Sequence, residues 1–397
     1  MKNKLLIIPF VEVFSKAVSF LNVLLLVRIL PIQDYADYSY IVAIVLWSSV
    51  LMDGGINSLI YNRSLKNKKG GINILFTSRL FLSVVIISIL GLLFILNKPE
   101  LFTAGIVFSF TIYFSSSSAL VKMLARGLGY IKVDLISIIT EPLVRFGFLL
   151  IIYLTREYYA FSLNLVLVIY LFASIIAFFI NKYFLNATFS LTLSLGSIKM
   201  IYKNIIISLN QSKFYLLYYL MFIGISRLDI LFLESYSNKQ DLAIFSSGLN
   251  MYMVAQLFFF SIITSQFIKL YEKRNLLFKF IIPILLLAVV CSNLISVYIF
   301  KYLFPIAYIE GQFVLNVLII AILPAVINFY YITKNNYENK VKLNFVLLGL
   351  VFLIKLVMYL VLKPTDILEY CYIFLIGEIL LSCLFGIKYV YESITNK

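Results

Sequence analysis

Apolar segments of about 20 residues recur along the whole chain, and short polar breaks separate them. A helix needs about 20 consecutive apolar residues to cross the hydrocarbon layer of a bilayer. With 62% hydrophobic and 13% charged residues, the chain carries more apolar surface than a soluble fold could bury. The pattern predicts an all-α integral membrane protein with twelve transmembrane helices, at residues 5–28, 38–60, 72–96, 101–121, 133–154, 159–181, 206–233, 242–268, 278–300, 311–333, 343–362 and 367–388.

The longest break in the apolar pattern runs from 181 to 203 and has six predicted spans on each side. It predicts a six-helix lobe at 1–183, a linker at 184–204 and a second six-helix lobe at 205–397. The heptapeptide Gln33–Ser39 has a counterpart in Gln240–Ser246, and each copy follows one apolar segment and opens the next. Because each half has an even number of spans, both halves of a duplicated chain would enter the membrane from the same side. A pseudo-twofold axis along the membrane normal is therefore expected.

The polar breaks on the side of the N-terminus hold most of the Lys and Arg residues, for example Lys66, Lys68 and Lys69. Basic loops stay in the cytoplasm, so we expect both termini there. The net charge of +15 then reflects topology, and no nucleic-acid partner is expected. The chain has no histidine and no glycine-rich phosphate loop, which excludes His-based catalysis and argues against ATP hydrolysis, metal sites and bound cofactors.

Two cations lie inside the seventh predicted span, at Lys213 and Arg227. Charges inside a membrane segment cost several kcal/mol and usually face a protein-lined or watery interior. At about 100° per residue, their spacing of 14 places both on one face of a helix, about 21 Å apart along its axis. We expect both to line a cavity, while Asp229 points elsewhere.

The first predicted span carries a polar stripe. Its members fall within an arc of about 120° on a helix and are Glu12, Ser15, Lys16, Ser19 and Asn22. One interpretation is a buried ion pair of Glu12 with Lys16, four residues apart. The other is a hydrated cavity, because the stripe holds more polar side chains than one ion pair needs.

Further intramembrane charges admit two interpretations each. Asp53, which precedes Gly54 and Gly55, could bind a coupling ion, or the glycines could allow close helix packing. Arg145 could bind substrate or pair with Glu141.

Three more spans hold charges for which a structural role suffices. Arg79 lies near a span end, where snorkelling to the surface is a sufficient explanation. Lys355 and Glu378 lie in the middle of consecutive spans, and we expect them to pair with each other.

Several stretches resemble one family of membrane proteins. They are Ile29-Leu30-Pro31 with 34–39, Asp53-Gly54-Gly55-Ile56, Arg126-Gly127-Leu128-Gly129, and Arg227-Leu228-Asp229 through Phe245-Ser246. In these the chain resembles Wzx-type flippases for O-antigen or capsule repeat units, members of the multidrug/oligosaccharidyl-lipid/polysaccharide (MOP) exporter superfamily. The likeness covers nearly the whole chain, although Ala36 and Ala243 stand where such proteins often have glycine.

The resemblance implies two six-helix lobes around a central cavity in the bacterial inner membrane. Its implied substrate and partner is an undecaprenyl-diphosphate-linked oligosaccharide, flipped outward among membrane lipids for surface polysaccharide or lipopolysaccharide biosynthesis, with other polysaccharide-assembly proteins as possible partners. A diphosphate in a cavity of low dielectric constant needs fixed cations. Candidate cations are Lys213, Arg227, Lys16 and Arg145, and candidate polar lining residues are Glu12, Ser15, Ser19 and Asn22.

Two other classes of protein have a similar composition. A drug or cation antiporter of the same superfamily would share the fold, but it would favour an acidic cavity. A membrane polysaccharide polymerase, which is an enzyme, would have a long outer loop, and every predicted outer loop here is short. We therefore expect a transporter rather than an enzyme.

The transport cycle needs a source of energy. Outward movement of an anion across an inside-negative membrane gains about 2.3 kcal/mol per charge per 100 mV, so the potential alone could set the direction. An inward flow of Na⁺ or H⁺ would add to it, and Asp53, Asp229 and Glu12 are the candidate carboxylates.

Overall fold

The computed structural model describes residues 2–65, 71–156, 161–187, 189–192, 198–272 and 282–395, and these are almost entirely helical. The sequence-predicted loop cations Lys66, Lys68 and Lys69 lie outside the described residues. The helices are α1 (Lys2–Ile29), α2 (Ile32–Asp53), α3 (Ile56–Leu65), α4 (Ile72–Asn97), α5 (Phe102–Gly127), α6 (Ile131–Thr155), α7 (Leu163–Asn186), α8 (Ile198–Tyr236), α9 (Lys239–Glu272), α10 (Ile282–Leu303), α11 (Gly311–Leu318), α12 (Ile322–Tyr337), α13 (Val341–Leu362) and α14 (Ile367–Thr395).

Within the described residues, 12 helical stretches are long and apolar enough to cross a membrane. The predicted all-α fold class and number of spans are confirmed. One of these stretches is not a continuous helix: α11 and α12 are joined by a 3₁₀ turn at Ile319–Ala321. Pro324 follows that turn, and proline lacks the N–H group that a helix interior requires.

The second predicted span, 38–60, starts earlier than expected and breaks in the middle. Helix α2 begins at Ile32 and ends at Asp53, and α3 begins at Ile56. Gly54 and Gly55 between them have φ angles of +60° and +70°, which residues with a Cβ rarely adopt. A Cβ on Gly55 would lie 2.9 Å from the backbone N of Leu216 in α8. The glycine pair therefore both breaks the helix and allows close packing.

The described chain divides into two compact units, Met1–Tyr40 with Met221–Lys397, and Ile41–Leu220. In the first unit, α9 packs against α1, α11 and α12. In the second, α5 packs against α3, α4, α6 and α7, and the Nε1–H of Trp47 donates to the carbonyl of Leu220 at 3.0 Å. Because α2 and α8 contribute to both units, the lobe boundaries at 1–183, 184–204 and 205–397 stay a prediction.

The two heptapeptide copies open α2 and α9, as their placement in the sequence predicts. Both belong to the first unit. Lys239, just before the second copy, forms a 2.7 Å ion pair with Asp37 of the first, and Asn250 donates to the hydroxyl of Tyr35 at 2.8 Å. Ala36 and Ala243 are both fully buried, so each methyl group is accommodated by the packing.

A second repeated feature supports an internal duplication. After α5, the N–H of Tyr130 bonds the carbonyl of Ala125 at 2.7 Å; after α12, the N–H of Lys340 bonds the carbonyl of Asn335 at the same distance. In each turn the preceding residue has a positive φ angle, +77° at Gly129 and +59° at Asn339. Both turns thus have the bond pattern of a Schellman helix end.

The side chains that cross these two turns also correspond. Arg126 bonds Asp134 at 3.0 Å in the first turn, and Asn344 donates to Asn336 at 2.9 Å in the second. Each pair joins residues eight apart. The two halves of the chain therefore share a local design, although the first turn uses charges and the second uses amides that donate in the opposite direction.

Candidate functional site

Arg227 is an intramembrane cation of the first unit with hydrogen-bonding capacity left over among the described residues. It is half-buried in α8, and its Nη2 group lies 3.5 Å from the sulfur of Met253 in α9. Its Nε group is buried and donates to no atom of the described residues. Tyr38 and Asp229 are close enough to act on it electrostatically. A guanidinium with an unused donor is suited to binding an anion.

Asp229, two residues further along α8, is fully buried and has a different partner. Its carboxylate accepts a 2.7 Å bond from the ammonium group of Lys355 in α13, and Tyr359 donates to its other oxygen. The ammonium group also donates to the carbonyl of Ile225 at 2.7 Å and lies 4.8 Å from the centre of the Phe374 ring. Asp229 is therefore neutralised by a cation of the chain itself.

The expected pair of Lys355 with Glu378 is wrong. The amide of Asn328 in α12 occupies the Glu378 carboxylate, donating to Oε2 at 2.8 Å. Asn328 is held in turn by Ser382, whose hydroxyl donates to its Oδ1 at 2.8 Å. The ammonium group bonds instead to Asp229, where it gains a carboxylate and a backbone carbonyl together.

The polar stripe of α1 lies mostly inside the protein. Glu12, Ser15 and Asn22 are buried, and Lys16 and Ser19 are half-buried. Ser19 donates to the carbonyl of Ser15 at 2.9 Å. The stripe thus avoids the lipid, as both interpretations of it require, and the choice between a structural pair and a cavity wall stays open.

In the second unit, Arg145 lies in a polar cluster between three helices. Its Nη2 group bonds Glu141 one turn back, Ser115 of α5 at 2.9 Å and Ser174 of α7 at 3.0 Å. The guanidinium also stacks 5.0 Å from the ring centre of Tyr170. The pair with Glu141, one of the two interpretations, is present, and the Nε group of Arg145 remains without a hydrogen bond in the described residues.

Asp53 also has a cation beside it, which sequence reasoning missed. Arg79 of α4 is 1% exposed, and its Nε group lies 3.2 Å from the Asp53 carboxylate. Its Nη1 group donates to Ser117 of α5 at 2.9 Å. The interpretation of Arg79 as a snorkelling residue is wrong, because its side chain turns into the bundle toward Asp53. The pair could have been predicted from an Asp near the end of one span and an Arg in the next, antiparallel span.

Lys213 is exposed, and its ammonium group lies 5.5 Å from the ring centre of the neighbouring Phe214. Lys213 and Arg227 do share one continuous helix, α8, as the spacing argument assumed. They belong to different units, however. Their common cavity wall therefore stays a prediction.

Arg145 and Lys355 occupy corresponding positions in the two halves. Each follows the cross-turn side chain of its half, Asp134 or Asn344, by eleven residues. Each also lies over an aromatic ring of the next helix, Tyr170 for Arg145 and Phe374 for Lys355. The repeated design thus extends to the position of one intramembrane cation in each half.

The described residues contain no group of three or more Asp, Glu, Cys or His side chains that could hold a metal ion. The cysteines at 291, 371 and 383 are free thiols.

The sequence was compared with known families and proteins. A family described as "Polysaccharide biosynthesis protein" matches residues 2–268. The chain belongs to this family. A search of curated proteins found no match. The family match covers the N-terminal half, α8 and most of α9, and so includes all of the stretches that carry the resemblance.

Solved structures of transporters have the same fold. An inward-facing multidrug resistance MATE family transporter of the MOP superfamily is 14% identical, with a TM-score of 0.61 over 98% of both chains. An outward-facing one is 12% identical, with a TM-score of 0.56 over 100% of this chain and 97% of that one. A Vibrio cholerae MATE transporter mutant is 12% identical, with a TM-score of 0.64 over 100% of this chain and 97% of that one. The chain therefore has the fold of these transporters, as the resemblance implies.

Proposed function

We propose that this chain is a flippase that moves undecaprenyl-diphosphate-linked oligosaccharide repeat units outward across the bacterial inner membrane. Two findings support the proposal. The chain belongs to a polysaccharide biosynthesis family, and it has the fold of a membrane exporter. The repeat units would supply O-antigen, capsule or another surface polysaccharide.

The observation that carries the proposal is the unused hydrogen-bonding capacity of Arg227. Most other intramembrane cations described above are satisfied, such as Arg79 by Asp53 and Lys355 by Asp229. Arg227 keeps a buried N–H group that donates to no atom in the part of the chain that the structure describes. Burying such a donor costs about 1–3 kcal/mol unless a partner binds it. A diphosphate would be that partner, since it offers charged oxygens to a guanidinium.

The other candidate cations differ in how well they are placed to bind a diphosphate. Arg145 also has a free Nε group, although its Nη2 group is already bonded. Lys16 is half-buried in the polar stripe of α1, and Lys213 is exposed. We propose that Arg227 binds the diphosphate directly and that the other three add positive potential along the path.

A second candidate function is export of organic cations, and the MATE transporters with the same fold favour it. Such a substrate would need carboxylates that are free to bind it. Asp53, Glu141 and Asp229 each face a cation of the chain, whereas Glu378 is bonded by the neutral amide of Asn328. This pairing favours the anionic substrate. A transport role without catalysis, location in the inner membrane and cytoplasmic termini belong to the same proposal.

Deletion of the gene tests the proposal. We expect loss of surface polysaccharide, with complete lipid-linked repeat units retained on the inner leaflet of the membrane. Leaflet location can be measured by protection of the oligosaccharide from periodate or a glycosidase added to spheroplasts. Single repeats on the outer leaflet would point to a polymerase instead. Normal polysaccharide together with drug sensitivity would point to a drug exporter.

A further inference from the structure

Glu378, in the middle of α14, is an intramembrane carboxylate that the proposed substrate site does not use. Its Oε2 atom accepts a hydrogen bond from the Asn328 amide at 2.8 Å. Its Oε1 atom accepts none from the described residues, and no Lys or Arg nitrogen of those residues lies within ion-pairing distance. The side chain is half-buried, so one of its oxygens remains available.

In this respect Glu378 differs from three other carboxylates within the spans. Asp53, Glu141 and Asp229 are held by Arg79, Arg145 and Lys355, respectively. A carboxylate that faces a fixed cation keeps its negative charge and is poorly suited to exchange a proton. One that is held by neutral groups inside the membrane is costly when ionised and inexpensive when protonated.

The groups around Glu378 favour a proton over a metal cation. Ser382 donates to Oδ1 of Asn328, which directs the amide N–H₂ group toward the carboxylate. Ser382 also lies 3.2 Å from the carbonyl of Pro324. A metal cation needs several oxygen ligands, but here the neighbour of Oε2 is an N–H donor. A proton needs only the free oxygen Oε1.

The charge state of Glu378 can reach the buried ion pair of the same unit. Lys355 passes beside Gly377, where a methyl group would lie 3.5 Å from its Cδ atom. Among the described residues, Lys355, Asp229 and Tyr252 are titratable groups close enough to interact electrostatically with Glu378. When Glu378 loses its proton, the new negative charge therefore competes with Asp229 for the Lys355 ammonium group. This links a proton to the packing of α8, α13 and α14.

We propose that Glu378 carries the proton that couples the transport cycle, in place of Asp53 or Asp229. This role rests on the proposed flippase function. The ionised carboxylate takes a proton from water on the outer side to form an O–H bond at Oε1. It returns that proton to water on the cytoplasmic side and is again ionised. One proton moves inward per cycle, and no other bond is made or broken.

The first test does not depend on the cargo. The full chain is purified in detergent, and the protons that it takes up between pH 8 and pH 5 are counted by back-titration. Glu378→Gln, which keeps the size of the side chain and a partner for Asn328, should take up about one proton fewer per chain than the native protein. Equal uptake by both proteins would overturn the proposal. Glu378→Asp should restore the missing proton, since it restores a carboxyl group.

The second test measures coupling in proteoliposomes loaded with the lipid-linked oligosaccharide that the deletion strain accumulates. A gradient of one pH unit, with the outer face more acidic, should raise the native rate of outward flipping by up to about tenfold over the rate without a gradient. In Glu378→Gln the ratio of the two rates should fall to about one. The matched control is Glu369→Gln, an exposed carboxylate of the same helix, which should keep the native ratio.

The outcomes separate the two proposals. A native protein that flips no cargo refutes the proposed function, while the titration still decides whether Glu378 binds a proton. A native protein that flips with a ratio of one refutes the coupling and leaves the function standing. A Glu378→Gln variant with the native ratio refutes the assignment to Glu378. Stimulation by a Na⁺ gradient instead of a pH gradient refutes the proton.

Discussion

The buried pair of Lys355 and Asp229 allows a prediction whose size follows from its environment. Lys355 is 1% exposed and Asp229 0%, and their charged atoms are 2.7 Å apart. Replacement of Lys355 by Met leaves a carboxylate buried without its cation. Removal of one partner of a buried pair costs about 3–5 kcal/mol, because the remaining charge keeps the penalty of its burial. We expect Lys355→Met to lower the free energy of unfolding by this amount.

A second pair provides a matched control. Lys239 and Asp37 also lie 2.7 Å apart, but their side chains are 50% and 17% exposed. Exposed pairs contribute about 0.2–1 kcal/mol, so Lys239→Met should cost no more than that. The two substitutions are chemically identical, and the two distances are equal. Burial is therefore the main difference between them.

The assay is reversible unfolding of the purified variants in detergent micelles. The double variant Lys355→Met with Asp229→Asn should recover most of the loss, because no isolated charge then remains. Similar losses for Lys355→Met and Lys239→Met would refute the argument from burial. A double variant as unstable as Lys355→Met alone would show that packing, not charge, explains the loss.

Three further predictions concern substrate, packing and energy. Arg227→Ala and Lys213→Ala should each abolish export without loss of the protein from the membrane, and Lys213→Arg should partly restore it because the charge is kept; surface polysaccharide on the complemented deletion strain measures both. Gly55→Ala should destabilise the chain more than Gly129→Ala. Both glycines have positive φ angles, but a Cβ on Gly55 would lie 2.9 Å from a backbone atom, whereas a Cβ on Gly129 would have no atom within 4 Å. Thermal unfolding compares the two variants, and equal melting temperatures would exclude the steric argument. An inside-negative potential of 100 mV should accelerate outward flipping in proteoliposomes without ATP, since a diphosphate with about two negative charges gains about 4–5 kcal/mol; a rate indifferent to voltage, or a requirement for ATP, would contradict this mechanism.

The sequence predicted the features that depend on neighbouring residues. Twelve spans follow from the lengths of the apolar runs. The pair of Glu141 with Arg145 follows from their spacing of four on one helix. Each of these can be derived without knowing how the helices pack.

The partners of the remaining charges depend on which helices become neighbours. Asp229 and Lys355 are 126 residues apart, and nothing in their local sequence names one as the partner of the other. Proximity in the chain suggested Glu378 for Lys355, but Asn328 holds that carboxylate. Arg79 was assigned to the membrane surface from its place near a span end, although Asp53 and Ser117 draw it inward. In each case a contact between helices outweighed the local pattern.

Trp47 is the single tryptophan of the chain. Its indole N–H group donates to the carbonyl of Leu220, so the bond joins α2 to α8. Both residues belong to the compact unit Ile41–Leu220. The emission wavelength of tryptophan depends on the polarity and hydrogen bonding around its ring. The intrinsic fluorescence of the unlabelled protein therefore reports on this one contact, and a shift of its emission on addition of substrate would identify a rearrangement there.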